Sequence, residues 1–364
     1  MHLERLRLVN YRNYSDVEIS FNQNINIIVG KNGQGKTNIL ESIYFLAVGK
    51  SFRTSRDKEV VKFGCKNAYI SSFFVKNGHR NTLEFLIGSN SKAVKKNGLS
   101  LLRMSELLGN FNVVVFSPED IRILKDSPSE RRRFIDREIS QISPRYYANL
   151  SDYNKILTQR NNYLKNDRLD MSLIEIFDRQ LCSCAGKIYT SRRDFISKLS
   201  EYALEFHSRI VGRQEEFDIR YLNQLNLSDD DTSHSAESAL FELLSKKREE
   251  DMRKRSTGYG PHRDDIQVIV DSLDVKIYGS QGQQRTASIA IKLSELELIR
   301  SETGEYPVLL LDDVFSELDE KRQKLLIESI SGIQTFVTTA ENAHIDIFEG
   351  KEYAVFNIDG GQVL

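Results

Sequence analysis

A chain of 364 residues with a formal net charge of −1 and 28% charged residues is long enough for one large or two medium domains. Its charge balance excludes a globally basic nucleic-acid binder, so any DNA affinity has to come from local patches. No run of eighteen apolar residues is present, so no membrane-spanning helix is expected; the start, Met1–Tyr14, alternates and carries several Arg instead of the apolar stretch of a secretion signal.

"LERLRLVNY", "DVEISF" and "INIIVG" alternate and are rich in β-branched residues, so strands are expected. A Gly-rich turn follows, then a helix from about Lys36 to Ala47. "AYISSFFV" and "TLEFLIG" read as strands, "KAVKKNGLSL" as a hairpin turning at Asn97-Gly98, and "NVVVF" (Asn112–Phe116) as an apolar strand. Cys65, Cys182 and Cys184 form no disulfide framework, and a zinc site would need more ligands nearby; reduced thiols in the cytoplasm are expected. From about Pro144 to Arg213 apolar residues recur every three, four or seven positions, with a break at 166–170. This predicts two long antiparallel helices, a lobe packed on itself and not an extended coiled coil. "AESALFELLSKKREEDMRKR" reads as a further helix. After Ser256 strand texture returns in "DIQVIVD", "VKIYG", "YPVLLLDDVF" and "QTFVTTA". The expectation is an α/β head built from both chain ends, residues 1–116 and 256–364, with a mostly helical lobe, 117–255, inserted between them.

"GKNGQGKT", Gly30–Thr37, fits Gly-x-x-x-x-Gly-Lys-[Ser/Thr] (Walker A) after a strand and at the mouth of a helix. Gly30, Gly33 and Gly35 let the backbone curl so that the amides of Gly30 to Asn38, including those of Lys31, Asn32 and Gln34, surround phosphate oxygens. Lys36 is positioned for the β- and γ-phosphates, and the Thr37 hydroxyl for Mg²⁺. "VLLLDDVFSELD" delivers Asp312 and Asp313 at the C-terminal edge of an apolar strand, where ligands of open parallel sheets bind. Two carboxylates there need a cation or a proton; Asp312 is the candidate second metal ligand and Asp313 the candidate for polarising the attacking water.

A third element, "YGSQGQQRTASIAIKLSELELI", starts a helix about 250 residues after the phosphate loop. Ser280, Gln281, Gly282 and Gln283 are read as preceding that helix, so that its N-terminus offers amide donors to an anion. One subunit does not need two phosphate-receiving helix ends for one triphosphate, whereas a head-to-tail pair of copies does.

Here the residues carry a resemblance. "SQGQQ" resembles the signature motif of ABC-type ATPases and "SELD" (Ser316–Asp319) their D-loop. "NYRNY" (Asn10–Tyr14), "GKNGQGKTN", "GKSFRT" (Gly49–Thr54), "SPSERRRFID" (Ser127–Asp136), "GPHRDD" (Gly260–Asp265) and "SQGQQRT" together are similar, along nearly the whole chain, to the bacterial RecF family. The resemblance implies a weak ATPase that binds ATP and Mg²⁺ and forms a homodimer on ATP. It also implies binding to double-stranded, gapped DNA and action with RecO and RecR to load RecA at single-strand gaps. By position it places Lys36 and Thr37 on phosphates and Mg²⁺ and Asp312 on the metal. Ser280, Gly282 and Gln283 fall at the partner's γ-phosphate, Arg12 and Asn13 at nucleotide, and Arg53 near nucleotide and DNA. The chain departs from most ABC ATPases in following the metal Asp with Asp313 in place of Glu. It also has Thr338 and Thr339 where a switch His is expected, and both departures point to slow hydrolysis. The "SPED" turn, Ser117–Asp120, is the candidate Q-loop.

Candidate DNA-contacting patches are Arg53 with Arg56, Arg131-Arg132-Arg133, Lys92-Lys95-Lys96, and Lys246-Lys247-Arg248 with Arg253-Lys254-Arg255. The last is interleaved with acids and also reads as a solvated helix face; the triple Arg equally reads as a structural brace. No recognition helix for base reading is visible, so backbone or shape binding is expected. A transporter motor subunit is the main alternative, but its signature lies nearer the phosphate loop and its insert is short. A small-molecule kinase would explain neither "SQGQQ" nor "SELD".

Overall fold

The computed structural model describes residues 1–88, 91–117, 120, 122–213, 215–340 and 345–364. These form two compact units, residues 1–120 with 292–364 (the head) and residues 121–291 (the lobe).

The head holds two six-stranded sheets. One is antiparallel and built from the first part of the chain, His2–Tyr11 pairing with the edge strand Tyr14–Ser20 on one side and with Asn67–Lys76 on the other. Its hairpin between Lys92–Lys96 and Leu99–Leu101 turns at Asn97 and Gly98, both at positive φ, as the Asn-Gly pair requires. The other sheet has five parallel strands. Ile25–Val29 lies between Tyr353–Asp359 and Thr335–Thr339, and Val308–Asp312 lies between Thr335–Thr339 and Val113–Phe116. The strand feeding the phosphate loop and the strand ending in the Asp pair are therefore separated by one strand, Thr335–Thr339.

The helix Lys36–Val48 has every residue from Ile39 to Ala47 buried. A helix apolar on all sides belongs inside a core, and this one shares a single cluster with Leu6, Leu8, Ile70 and Phe85 of the antiparallel sheet and Leu310 and Phe336 of the parallel one. Each such side chain contributes about 1.5–3 kcal/mol by burial. That core fixes the mouth of the helix, and with it the phosphate loop.

The lobe contains the expected helical hairpin. Pro144–Tyr163 and Met171–Val211 are separated by the break at 164–170, where the Asp170 side chain caps the second helix by accepting from the Ser172 amide at 2.9 Å. Ser233–Lys254 packs on the long helix. Arg160 ties all three together, fully buried, with Asp178 at 2.7 Å and Asp251 at 2.8 Å.

Three expectations are corrected. The lobe begins near residue 121, and its second boundary falls inside the helix Gln281–Thr303, between residues 291 and 292, and not at 255/256. The cause is a pairing invisible in local sequence: Asp265–Val270 joins Phe217–Leu222 antiparallel, so residues 256–291 close a three-stranded sheet within the lobe. "VKIYG" is one helical turn, Val275–Tyr278, because the Asp274 side chain accepts from the Lys276 amide and Gly279 N–H from its end donates to the Val275 carbonyl. Finally, Gln281, Gly282 and Gln283 lie inside the first turn of their helix, with only Ser280 ahead of it.

Candidate nucleotide site

Gly35 takes φ 120°, a conformation unfavourable for any side chain, and a Cβ there would come within 2.9 Å of Asn13 and Tyr14. The turn Asn10–Tyr14 thus presses directly on the loop. The Asn13 amide donates to the Gln34 carbonyl at 2.7 Å and accepts from Asn38 Nδ2 at 2.8 Å, and the Tyr14 hydroxyl donates to the Gly35 carbonyl at 3.0 Å. The Lys36 ammonium is buried in the loop's curl, donating to the Gly30 carbonyl at 2.7 Å and the Lys31 carbonyl at 3.3 Å, with Asn32 Oδ1 at 3.5 Å.

Thr37 and Asp312 meet as expected: the hydroxyl donates to Asp312 Oδ1 at 3.0 Å. Two hard oxygen donors converging at the loop fit Mg²⁺, which completes its shell with phosphate oxygens and water and so needs no cage of protein carboxylates. Asp313 follows at φ 51°, in the left-handed region. Burial pushes its carboxyl above the usual carboxylate range, Lys36 opposing and Asp312 adding to the effect. It lines a cleft of about 500 Å³ together with Asn32, Ser316, Gln323 and Thr338.

Two residues organise this site in ways that sequence reasoning did not foresee: Thr338, read only as standing in the place of a switch His, and Glu41, which it did not single out. Thr338, on the intervening strand, donates its hydroxyl to Asp312 Oδ1 at 2.7 Å and accepts from the Asp313 amide at 3.0 Å, fixing both acids at once. Only the strand order reveals it. Glu41 is fully buried; it takes both oxygens to Arg12, at 2.8 and 2.5 Å, and accepts from the Ser51 hydroxyl. Ser51 Oγ in turn accepts from the amides of Arg53 and Thr54. A buried Glu at the fifth residue after a phosphate-loop Lys, with an Arg in the preceding hairpin turn, is the one signal the sequence offered.

Arg12 is therefore engaged on every side, its remaining nitrogen donating to the Glu59 carbonyl at 2.6 Å. Arg12 and Asn13 shape the loop and the 51–54 segment in this structure. Arg53 is exposed and donates to Asn38 Oδ1 at 2.9 Å. Arg56 is exposed, with Glu59 at 3.8 Å.

The signature segment lies in the other unit. Ser280 Oγ accepts from the Gln283 amide at 3.2 Å, while Gln283 Oε1 accepts from the Ser280 amide at 2.9 Å. This is a reciprocal capping box. Ser280, Gln281, Gly282 and Gln283 are all exposed at the surface. In the D-loop candidate, Asp319 caps the helix Glu320–Ser329 by accepting from the Arg322 amide.

The triple Arg is a correction. Arg131 is buried and bidentate to Asp265 at 2.6 Å, and Arg132 donates to the Asp264 carbonyl. Only Arg133 stands in solvent, paired with Glu130 one turn away. The run beside residue 250 is a solvated helix face: Lys247 and Lys254 both face Glu250, and Arg248 reaches Asp178. Lys92 is held by Asp57 and the Gly49 carbonyl, and Lys96 by Asn110. Of the Q-loop candidate, Pro118 and Glu119 lie outside the described residues. No described helix is long and apolar enough to cross a membrane.

The strand order, the loop and the Asp pair define an ABC-type ATPase head. The family model of the RecF/RecN/SMC N-terminal domain matches residues 2–361. The DNA replication and repair protein RecF of Clostridioides difficile (strain 630) is 49% identical over 364 residues, covering 100% of this chain and 98% of that one. The RecF of Alkaliphilus oremlandii (strain OhILAs) is 44% identical, with 100% of both chains covered. A solved structure of the recombination mediator protein RecF with ATP in the RecFOR pathway superimposes with TM-score 0.93 at 37% identity, covering 100% of this chain and 97% of that one. An SMC head bound to ScpA, 17% identical with TM-score 0.55, covers 100% and 97% and shares the fold. The chain belongs to the RecF family, and these relatives favour that reading over a transporter motor.

Proposed function

We propose that the chain is an ATP-dependent, dimerising DNA-binding protein of recombinational repair, working with RecO and RecR at gapped double-stranded DNA to promote RecA loading. The observation that carries this reading is the meeting of Thr37 and Asp312 at 3.0 Å beside the buried Lys36. Pathway and partners rest on the solved RecF relatives, described as recombination mediators of the RecFOR pathway.

Lys36 and the loop amides bind the triphosphate; Thr37 and Asp312 hold Mg²⁺, which supplies charge stabilisation at the phosphate oxygens. Asp313, which lines the cleft beside these residues, accepts the proton of the attacking water. The capped helix beginning at Ser280 grips the γ-phosphate held by a second copy, so ATP joins two subunits by mass action. Hydrolysis, slow with Asp313 in place of Glu, separates them and releases DNA.

Replacing Asp313 with Asn tests the chemical step. Single-turnover hydrolysis should fall roughly 10²–10⁴-fold, with nucleotide affinity kept and the ATP-bound dimer longer-lived. Turnover equal to the parent would remove Asp313 from this role.

A further inference from the structure

Phe63 is 103% exposed, more than any other large apolar side chain among the described residues. It sits at the tip of a tight turn, closed by the Cys65 amide donating to the Lys62 carbonyl at 2.9 Å, with Gly64 at φ 82°. The base of this turn is rigidly tied. Val61 bridges Tyr11, the Lys62 amide donates to the Asn10 carbonyl at 2.8 Å, and the Arg12 amide donates to the Val60 carbonyl at 2.7 Å. The Lys62 ammonium is spent on the same support, reaching the Asn13 carbonyl and the Ser15 hydroxyl. The fold thus holds an aromatic ring out in water on a braced stalk, forgoing the burial that Phe45, Phe74 and Phe85 have.

What surrounds the ring in sequence is cationic. From Lys50 to Lys66 there are six Lys and Arg against two acids, in a chain whose net charge is −1. Lys50, Arg53, Arg56, Lys58 and Lys66 are all exposed. A rigid exposed aromatic set among cations matches a polyanion that also offers flat apolar faces. Nucleic acid has both, phosphates for the charges and bases or sugars for the ring. We infer that the 50–66 segment is a nucleic-acid contact of the head, with Phe63 packing on a base or sugar face while Arg53, Arg56, Lys58 and Lys66 meet phosphates. This inference rests on the DNA-binding reading above and names the surface that serves it. The occupant is DNA and not a second copy of the chain, because a protein face would have to bring a matching cluster of carboxylates.

The chain contains no Trp, so Phe63→Trp installs a single indole at the tip without disturbing packing. With ATP present, titration with gapped duplex should quench and shift the emission of that indole, and single-stranded and fully paired oligonucleotides show which base faces it meets. Phe63→Ala should weaken binding in a gel shift roughly 5- to 150-fold, and Lys58→Glu with Lys66→Glu should flatten the salt dependence by about one phosphate contact each. If the unaltered chain shifts DNA while the indole emission of Phe63→Trp stays constant and Phe63→Ala binds normally, the inference is overturned and the DNA-binding reading stands. Emission that changes fully with ATP alone would assign the ring to a second copy and overturn it too. An unaltered chain that shifts no DNA sinks the DNA-binding reading and this inference with it.

Discussion

The head and the lobe each gather charged residues near glycine turns, and they use them in opposite ways. In the head, Thr37 and Asp312 converge at a loop whose helix mouth carries amide donors, and Asp313 lines an open cleft. In the lobe the charges face one another. Arg192, fully buried, donates to Asp136 at 2.8 Å, to Asp264 at 3.1 Å and to the Pro261 carbonyl at 2.6 Å, and Tyr146 and Tyr221 close the ring around the same acids. Both regions produce arresting motifs in sequence, "GKNGQGKT" on one side and "ERRRFID" with "GPHRDD" on the other. Access is what separates them: Asp313 opens on a cleft, whereas Arg192 is closed off from solvent among its partners.

The largest test of that contrast is Arg131→Ala. Removing one partner of a buried pair leaves Asp265 uncompensated, and a loss of about 3 kcal/mol is expected in urea unfolding, the low end of the range because Asp265 keeps some access to water. Arg133→Ala should change stability by less than about 0.5 kcal/mol. Equal effects would dissolve the distinction between the two residues.

Thr338 sharpens the head's side of the comparison. Valine keeps its shape and deletes both hydrogen bonds to the acids. Thr338→Val should weaken Mg²⁺-dependent nucleotide binding by about 10- to 100-fold while leaving metal-free binding unchanged, and Thr338→Ser should restore it. An unaltered Mg²⁺ dependence by calorimetry would make the residue mere packing.

The smallest effect lies in the lobe and depends on pH. His262 Nε2 faces the Thr257 carbonyl and so carries the proton, leaving Nδ1 to accept from the Tyr153 hydroxyl at 2.6 Å. Burial lowers its pKa to about 4, aided by Arg263, Arg132 and Arg192 and opposed by its backbone bond. The neutral ring's contribution is therefore present above the usual 6.5 and lost as pH falls toward about 4. Asp264 runs the other way: burial raises it to about 6, so its contribution is lost as pH rises from 3.8 to about 6. The difference between the parent and His262→Gln isolates the first: the parent's advantage should shrink by about 1–2 kcal/mol between pH 7 and pH 4.5. A difference flat with pH would mean the ring titrates normally.

This contrast also explains what sequence could and could not reveal. The phosphate loop is contiguous, and its strand-turn-helix setting is local, so Lys36 and Thr37 were legible, as was the Asn97-Gly98 hairpin. Asp312 followed from an apolar strand ending in acids. The pairing of Arg131 with Asp265 spans 134 positions and that of Arg12 with Glu41 spans 29, and neither leaves a periodic trace. The lobe's second boundary was misplaced for the same reason, since Asp265–Val270 shows its strand character locally but not its partner. Thr338 acquires its role only from the order of strands in the sheet.

The account's central claim is that one copy's loop and another copy's capped helix hold the same triphosphate. Light scattering of Ser280→Arg with saturating ATP and Mg²⁺ tests it most directly, alongside a nucleotide-binding assay. The account predicts normal ATP affinity and a mass that stays at 41.9 kDa, where the parent doubles. An ATP-dependent dimer of that variant, as tight as the parent's, would contradict it.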